Sequence, residues 1–254
     1  MKLAGTKIVI TGGSGGIGSL LRAALEKKRA DVWVLDRSFA VESPRHIAGD
    51  LSHAEGIRAA AQAVAAVEPD MLINLAGLQF FGAFEDEAAE HLAALMQVNL
   101  LAPMQLIQAV LPGMKKRGRG MIVNIGSVFG AIPSAYFASY SVSKAGMRAL
   151  SDALRRELEG TGVDVVHVAP RAVKTSLNNA QVMALAKATK MKMDTPEHVV
   201  ERIVSAIEGK RAHTVIGFPE ALFVKLHGLS AALIDQGIRS QTKAARHVLS
   251  QPTR

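Results

Sequence analysis

A short, apolar, β-branched stretch, KIVIT at residues 7–11, runs straight into Gly12, Gly13, Ser14, Gly15, Gly16, Ile17 and Gly18, and a helical stripe of Leu20, Leu21, Ala24 and Leu25 begins at once. A strand that turns through this many glycines into a helix leaves few folds open. Glycine permits the tight turn and lets another group come close to the main chain. The first N–H groups of the helix lack partners, so an anion such as a pyrophosphate is favoured there. The position of the loop, at the first strand–helix junction, sets it apart from an ordinary glycine turn.

The rest of the chain alternates in the same sense. VWVLD at 32–36, a shorter run at 46–48, MLINLA at 71–76, GMIVNIGS at 120–127, VDVVHVA at 163–169 and HTVIG at 213–217 read as strands. Most are near-continuously apolar, as strands covered on both faces are. Helical patterns lie at 57–67, 86–111 and 138–159, the second interrupted near Asn99 and Pro103. Thr195, Pro196 and Glu197 supply an N-cap, a proline at the first helical position and an acid in the first turn, for a helix ending at Glu208 before Gly209. Short right-handed βαβ connections assemble such units into an α/β, three-layer Rossmann fold with a doubly wound parallel sheet. No repeat or low-complexity linker divides the chain, so residues 1–254 are expected to form a single Rossmann-fold catalytic domain, with 218–254 a helical C-terminal extension.

Composition narrows the chemistry. The chain has no cysteine, which excludes a disulfide framework, a thiol nucleophile, a thiolate zinc site and an iron–sulfur cluster. The formal charge of +8 suits a solvated basic surface or an anionic cofactor or substrate. The densest cluster, Lys115, Lys116, Arg117 and Arg119, lacks the interleaved aromatics of a single-strand binding platform, so no nucleic-acid partner is expected. Neither a signal-peptide pattern nor an uncharged apolar stretch of spanning length is read from the sequence, and the expected location is cytoplasmic.

Two groups of residues could carry chemistry. Asp36 closes the second strand, where its carboxylate can accept ribose hydroxyls and repel a 2'-phosphate, favouring NAD(H). Arg37 keeps NADP(H) as the alternative, since it can pair with that phosphate if Asp36 turns away. Further on, Ser127 follows the strand GMIVNIG, and Tyr140 and Lys144 share one helix face by their i, i+4 spacing. A phenol is a poor base near neutrality, with a pKa of about 10. A neighbouring ammonium stabilises the phenolate. Ser127 can hold the reacting oxygen while Tyr140 exchanges a proton with it.

Taken together these residues resemble the short-chain dehydrogenase/reductase family, of the single-domain type. Thr11, Gly12, Gly16 and Gly18 match its phosphate loop, which Ser14, Gly15 and Ile17 complete, and Tyr140 with Lys144 match its Y-x-x-x-K signature. Ser127 matches the preceding serine, Asn99 in QVNL the asparagine of the central helix, and Asp50-Leu51 the acidic position near the adenine. At 74–77 the N-A-G motif either has its asparagine, Asn74, one position early or takes a variant form; Ala76 and Gly77 are the closer matches. After the sixth strand Pro170, Val173 and Thr175 fall at cofactor-contacting positions, while Arg171 stands where the family usually has glycine. Arg171 and Lys174 read as solvent-facing charge, with contact to an anionic group as the alternative.

The resemblance implies a hydride-transferring oxidoreductase that uses NAD(P)(H) on a carbonyl or alcohol. Tyr140 would be the acid in reduction and the base in oxidation, Lys144 would lower its pKa and bind the nicotinamide ribose, and Ser127 would position the substrate oxygen. Asn99 would hold the helix backbone open for a water linking Lys144 to solvent. It also implies a homodimer or homotetramer built on the helices that contain Asn99 and Tyr140. The competing reading, a catalytically silent nucleotide sensor or scaffold on the same fold, sits poorly with an intact Asn99, Ser127, Tyr140 and Lys144.

The substrate side is apolar in sequence. Leu177, Val182, Met183, Leu185, Ala186, Met191 and Met193 lie in the segment 176–194, Phe80, Phe81 and Phe84 follow the fourth strand, and Phe129, Ile132, Pro133, Tyr136 and Phe137 separate Ser127 from Tyr140. They predict a roomy pocket for a hydrophobic, lipid-like carbonyl or alcohol. In the extension, Leu222, Phe223, Leu226, Leu229 and Leu233 form a stripe beside Lys225, Arg239, Lys243 and Arg246. That pattern packs on the domain or on a partner subunit, or attaches peripherally to an anionic membrane.

Overall fold

Each strand residue points to the opposite face from its neighbours, and an apolar strand therefore needs cover on both sides. The computed structural model, which describes residues 2–39, 41, 43–227 and 242–250, meets this with seven parallel strands in the order β3-β2-β1-β4-β5-β6-β7. These are β1 (Lys7–Thr11), β2 (Asp31–Asp36), β3 (His46–Ala48), β4 (Met71–Asn74), β5 (Gly120–Ile125), β6 (Val163–Pro170) and β7 (His213–Ile216). Ile8 and Ile10 face helices α1 (Gly16–Lys27) and α7 (Pro196–Glu208), packing with Leu21, Leu25, Ile203 and Ile207. Val9 faces the other way with Leu72 and Ile122, onto α2 (Ala54–Val67) and α4 (Ala102–Lys116), where Ile57, Val64, Leu106 and Val110 meet it. The chain is thus a three-layer, doubly wound Rossmann fold.

The strand order reverses at β1, which lies between β2 and β4. Loops leaving the carboxyl ends of β1 and β4 diverge there, and the crevice between them is where such sheets take ligands. Thr11 stands beside Asn74, and Asn74 beside Asn124, so residues at the carboxyl ends of the central strands form one row. Thr11 Oγ1 accepts hydrogen bonds from the backbone N–H of Leu75 and of Ala76, both at 3.0 Å, fastening the chain after β4 to the end of β1.

The helix expected to break near Asn99 and Pro103 is instead continuous from Ala89 to Lys116. α3 (Ala89–Met96) passes into a π-helical turn, Gln97–Leu101, and then into α4. Pro103 follows closely on the π-helical turn, and the helix continues past it and through Pro112. This corrects the reading that no stretch has spanning character, because Ala89–Lys116 is long and apolar enough to cross a bilayer by length and composition. Its apolarity has a simpler cause: Val98, Ala102, Leu106, Ile107, Val110 and Met114 belong to the core. α5 (Ala138–Glu157) lies alongside, burying small Ser139, Ser143 and Ser151.

One helix goes beyond the sequence pattern. Within 176–194 the chain forms α6 (Ala180–Ala188), capped by Asn179, whose Oδ1 accepts from Val182 N at 2.9 Å. In the extension, α8 (Glu220–His227) is followed by a further helical stretch at 242–249. Leu222, Phe223 and Leu226 lie exposed on α8, whereas Leu229 and Leu233 of the expected stripe, and Arg239 beside it, fall outside the described residues.

Candidate active site

At the crevice the fold leaves a cleft of about 580 Å³. Gly12, Ser14, Gly15, Gly16, Ile17 and Gly18 line one end. The turn requires glycine at two of these: Gly12 has φ +72 and a Cβ there would meet Ala76 Cα at 2.9 Å, while a Cβ on Gly18 would lie 2.1 Å from the Gly12 carbonyl oxygen. α1 starts here without a side-chain cap and without an acid in its first turn. Its free N–H groups and positive dipole end therefore face the cleft, and the cradle fits the pyrophosphate of a dinucleotide.

Asp36 lies at the rim of the same end. Its Oδ2 accepts from Ser14 N at 3.0 Å and its Oδ1 from Arg37 N at 2.8 Å, so two backbone donors fix the carboxylate beside the glycine loop. Arg37 lines the cleft too, with its side chain exposed. Asp50 and Leu51 complete this end. The backbone N–H of Ser52 donates to Asp50, and this holds the Asp50 carboxyl below its usual range.

Asn74 is placed differently from its neighbours. Its amide Nδ2 donates to Asn124 Oδ1 at 2.8 Å inside the sheet, and Asn124 Nδ2 in turn donates to Ser151 Oγ at 2.9 Å. Leu75, Ala76 and Gly77 line the cleft and the buried Asn74 side chain does not, which assigns it to tying β4 and β5 to α5.

Ser127, Tyr140 and Lys144 converge in the middle of the cleft. Tyr140 and Lys144 are successive turns of α5, and Ser127 caps the short turn after β5, accepting from Phe129 N at 3.2 Å. The Ser127 hydroxyl acts on the Tyr140 phenol across the cleft, favouring its ionised form. Lys144 Nζ donates to the Ile125 carbonyl at 3.1 Å and stands 5.6 Å from the centre of the Tyr140 ring. In this arrangement burial, and not Lys144, governs the tyrosine pKa. Burial pushes the phenol up to about 12, only partly offset by Ser127, and burial likewise pulls the Lys144 ammonium down to about 8. The ammonium donates to a carbonyl, and desolvation is the dominant influence on both groups.

Asn99 does not touch the cleft. Fully buried in the π-helical turn, its Oδ1 accepts from Leu78 N and its Nδ2 donates to Leu78 O, both at 2.8 Å, and to Ser143 Oγ at 3.0 Å. Ser143 Oγ donates to the Tyr140 carbonyl at 2.7 Å. Asn99 thus stitches the chain after β4 to the turn of α5 that carries Tyr140. Ser143 gave no sequence signal beyond its place in that turn.

Pro170, Val173 and Thr175 line the cleft from the β6 side. Thr175 Cγ2 would be 3.4 Å from a Cβ on Gly16, so this segment lies directly over the glycine loop. Arg171 corrects the solvent-facing reading: its guanidinium makes a two-pronged contact with Asp194, at 2.7 and 3.0 Å, and reaches Glu220 at 3.1 Å, with 13 % of the side chain exposed. Lys174 is exposed. Val173 and Asp194 are also joined by a parallel β-bridge, so the segment 174–194 is closed at its base by both backbone and side chain.

The remaining lining is largely apolar. Of the residues singled out in sequence, Phe129, Phe137, Leu177, Val182 and Met191 line the cleft, joined by Leu78, Val98 and Val128. Phe81, Tyr136 and Leu185 pack in the cluster behind, while Phe84 is exposed. Gln79 Nε2 donates to Asn178 Oδ1 at 3.3 Å, a polar bridge from the chain after β4 to the segment 174–194 that sequence pattern did not reveal. Among the described residues no group of His, Asp and Glu side chains gathers as metal ligands.

Residues 6–185 match the protein family described as short chain dehydrogenase. Among curated proteins, Ketoacyl reductase HetN of Nostoc sp. is 32% identical over 231 residues, spanning 84% of this chain and 79% of that one. D-xylose 1-dehydrogenase of Caulobacter vibrioides is 35% identical over 185 residues, 68% of this chain and 74% of that one. Among solved structures, a short-chain dehydrogenase from Streptomyces avermitilis superposes with a TM-score of 0.75 at 26% identity, over 95% of this chain and 98% of that one.

Proposed function

Because the chain belongs to the short-chain dehydrogenase/reductase family, and is therefore an NAD(P)(H)-dependent oxidoreductase of carbonyl and alcohol groups, we propose that it takes NAD(H) and an apolar, lipid-like ketone or alcohol. The observation that carries the substrate reading is the lining beside Tyr140, where Phe129, Phe137, Val182 and Met191 present apolar surface. A polyol would need several polar partners there, and the Gln79 and Asn178 amide nitrogens are already turned to Asn178 Oδ1 and to backbone carbonyls. The two relatives' names span a ketoacyl group and a sugar, and this lining favours the former. For the cofactor, the support is Asp36: held by two backbone N–H groups, it stays where a 2'-phosphate would be repelled.

In ketone reduction Tyr140 donates its phenolic proton to the carbonyl oxygen, which the Ser127 hydroxyl holds in place. The nicotinamide, when bound, supplies the hydride. Lys144 binds the adjoining ribose, and Asn99 keeps the Tyr140 turn and the residue 78 backbone in register. Gly12, Ser14, Gly15, Gly16, Ile17 and Gly18 take the pyrophosphate, Asp36 and Arg37 the adenosine ribose, Asp50 and Leu51 the adenine, and Ala76, Gly77, Pro170, Val173 and Thr175 the nicotinamide side. The chain forms one catalytic domain with residues 218–254 as its extension. Exposed Leu101 just before α4, Met104 on α4 and Val142 on α5 suit a homodimer or homotetramer.

The test is reduction of a chain-length-graded ketone panel, with sugars included, under NADH and NADPH. The reading predicts kcat/KM rising with apolar length and higher with NADH, and at least a roughly tenfold move toward NADPH in Asp36→Ser, equivalent to about 1.4 kcal/mol. Sugars turned over as well as long ketones, or NADPH preferred by the unaltered chain, would contradict it.

A further inference from the structure

The helical stretch 242–249 carries Ala244, Ala245, Val248 and Leu249 at spacings that share one face, with Lys243, Arg246 and His247 between them. That face is spent on the substrate end of the molecule. Ala245 is 2 % exposed and belongs to one apolar cluster with Phe81, Phe137, Tyr140, Val182 and Leu185. Phe137, Tyr140 and Val182 also line the cleft, so a single layer of side chains separates this helix from the space where substrate would lie.

The layer has almost no slack. Between α6 and the helix remains a hollow of about 10 Å³, bordered by Leu185, Met191 and Ala245, and Met191 forms part of the cleft lining as well. Such a hollow holds at most one water. A larger side chain at Ala245 must therefore push Met191 or α6 toward the cleft. Nearby, Tyr136 adopts φ 66, a left-handed conformation that costs energy for a bulky residue and persists only where its surroundings impose it. Its carbonyl accepts from Gly82 N at 3.0 Å and its hydroxyl from Arg246 Nε at 3.2 Å, fastening the chain just ahead of Tyr140 to the helix.

We infer that helix 242–249 is the outer wall of the substrate pocket and that its packing on α6 sets how large an apolar substrate enters, an inference that rests on the apolar reading of that pocket. Ala245 and Leu249 are then specificity-determining positions. Two substitutions should act in opposite senses: Ala245→Leu crowds the wall and Leu249→Ala loosens it.

The experiment measures kcat/KM over the graded ketone panel for the full chain and both variants, each checked for an unchanged fold by circular dichroism. Ala245→Leu is expected to move the long-to-short ratio toward short ketones and Leu249→Ala toward long ones, each by roughly tenfold, what one methylene is worth in an apolar pocket. As a second measurement, Leu185→Cys with Ala245→Cys, in a chain that otherwise has no cysteine, should close a disulfide readily under mild oxidation. A graded unaltered profile that both variants leave in place would overturn the inference alone, as would failure of the disulfide to form. A profile flat in the unaltered chain would instead overturn the apolar reading, and the inference with it.

Discussion

Tyr140 and Lys144 share one face of α5, and burial acts on them in opposite senses, holding the phenol protonated up to about 12 and releasing the ammonium proton near 8. Ketone reduction needs a protonated Tyr140, and this acid is retained through the whole physiological range. The pH limb near 8 therefore belongs to Lys144, which is charged below that value and neutral above it. Calorimetric NADH affinity is predicted to fall as pH rises through about 8, and Lys144→Met to bind more weakly with the limb removed. An affinity flat across that interval in the unaltered chain would reject the assignment. The same shift makes the folded chain the weaker proton binder between 8 and 10.5, so in that window Lys144 contributes stability that increases with pH. The identities of these groups were legible because a glycine loop and a Y-x-x-x-K spacing are local. The sense of the tyrosine shift was not, since it depends on burial of the phenol in the folded chain, and neither was the direction of Asn74, which follows from its register beside Asn124.

At the level of elements, the strands were legible because burial on both faces leaves near-continuous apolar runs. The π-helical turn was not: sequence marks Asn99 and Pro103 as irregular, but only the side-chain bonds of Asn99 to Leu78 and Ser143 show that the helix widens there without breaking. Arg171 was invisible for a related reason, its carboxylate partners lying 23 and 49 residues away at Asp194 and Glu220. Removing it in Arg171→Ala leaves Asp194, 8 % exposed, without its partner, and is predicted to cost roughly 3 kcal/mol and to raise KM by freeing the base of the segment 174–194. Thermal unfolding and steady-state kinetics check both; an unchanged melting temperature would remove the clasp from the account. On β6, burial and the neighbouring His213 and Arg148 hold His167 near 4, against which Asp152 acts weakly. The unfolded chain then takes up this proton first, so stability falls as pH drops from about 6.5 to 4, by up to about 3 kcal/mol. Denaturant titrations should show a shallower acid loss in His167→Leu, and equal losses would exclude this histidine as the cause.

For the whole molecule, the reversal of strand order at β1 brings the glycine loop, Asp36 and the chain after β4 to one edge of the sheet, and loops from β5 and β6 add Ser127 and Thr175. Everything that can act on a ligand thus lies at the carboxyl ends of the strands, whereas Leu101, Met104 and Val142 leave an apolar outer face on the helices behind. Assembly through that face predicts that Val142→Asp shifts the particle to a smaller mass in light scattering; an unchanged mass would place the interface elsewhere. The most direct test of the central claim is single-turnover reduction of a long apolar ketone by NADH in the unaltered chain and in Tyr140→Phe. Rapid reduction is expected of the first, and a loss of roughly a thousandfold in the second with NADH binding retained. Reduction by Tyr140→Phe within about threefold of the unaltered chain would show that the proton comes from another group.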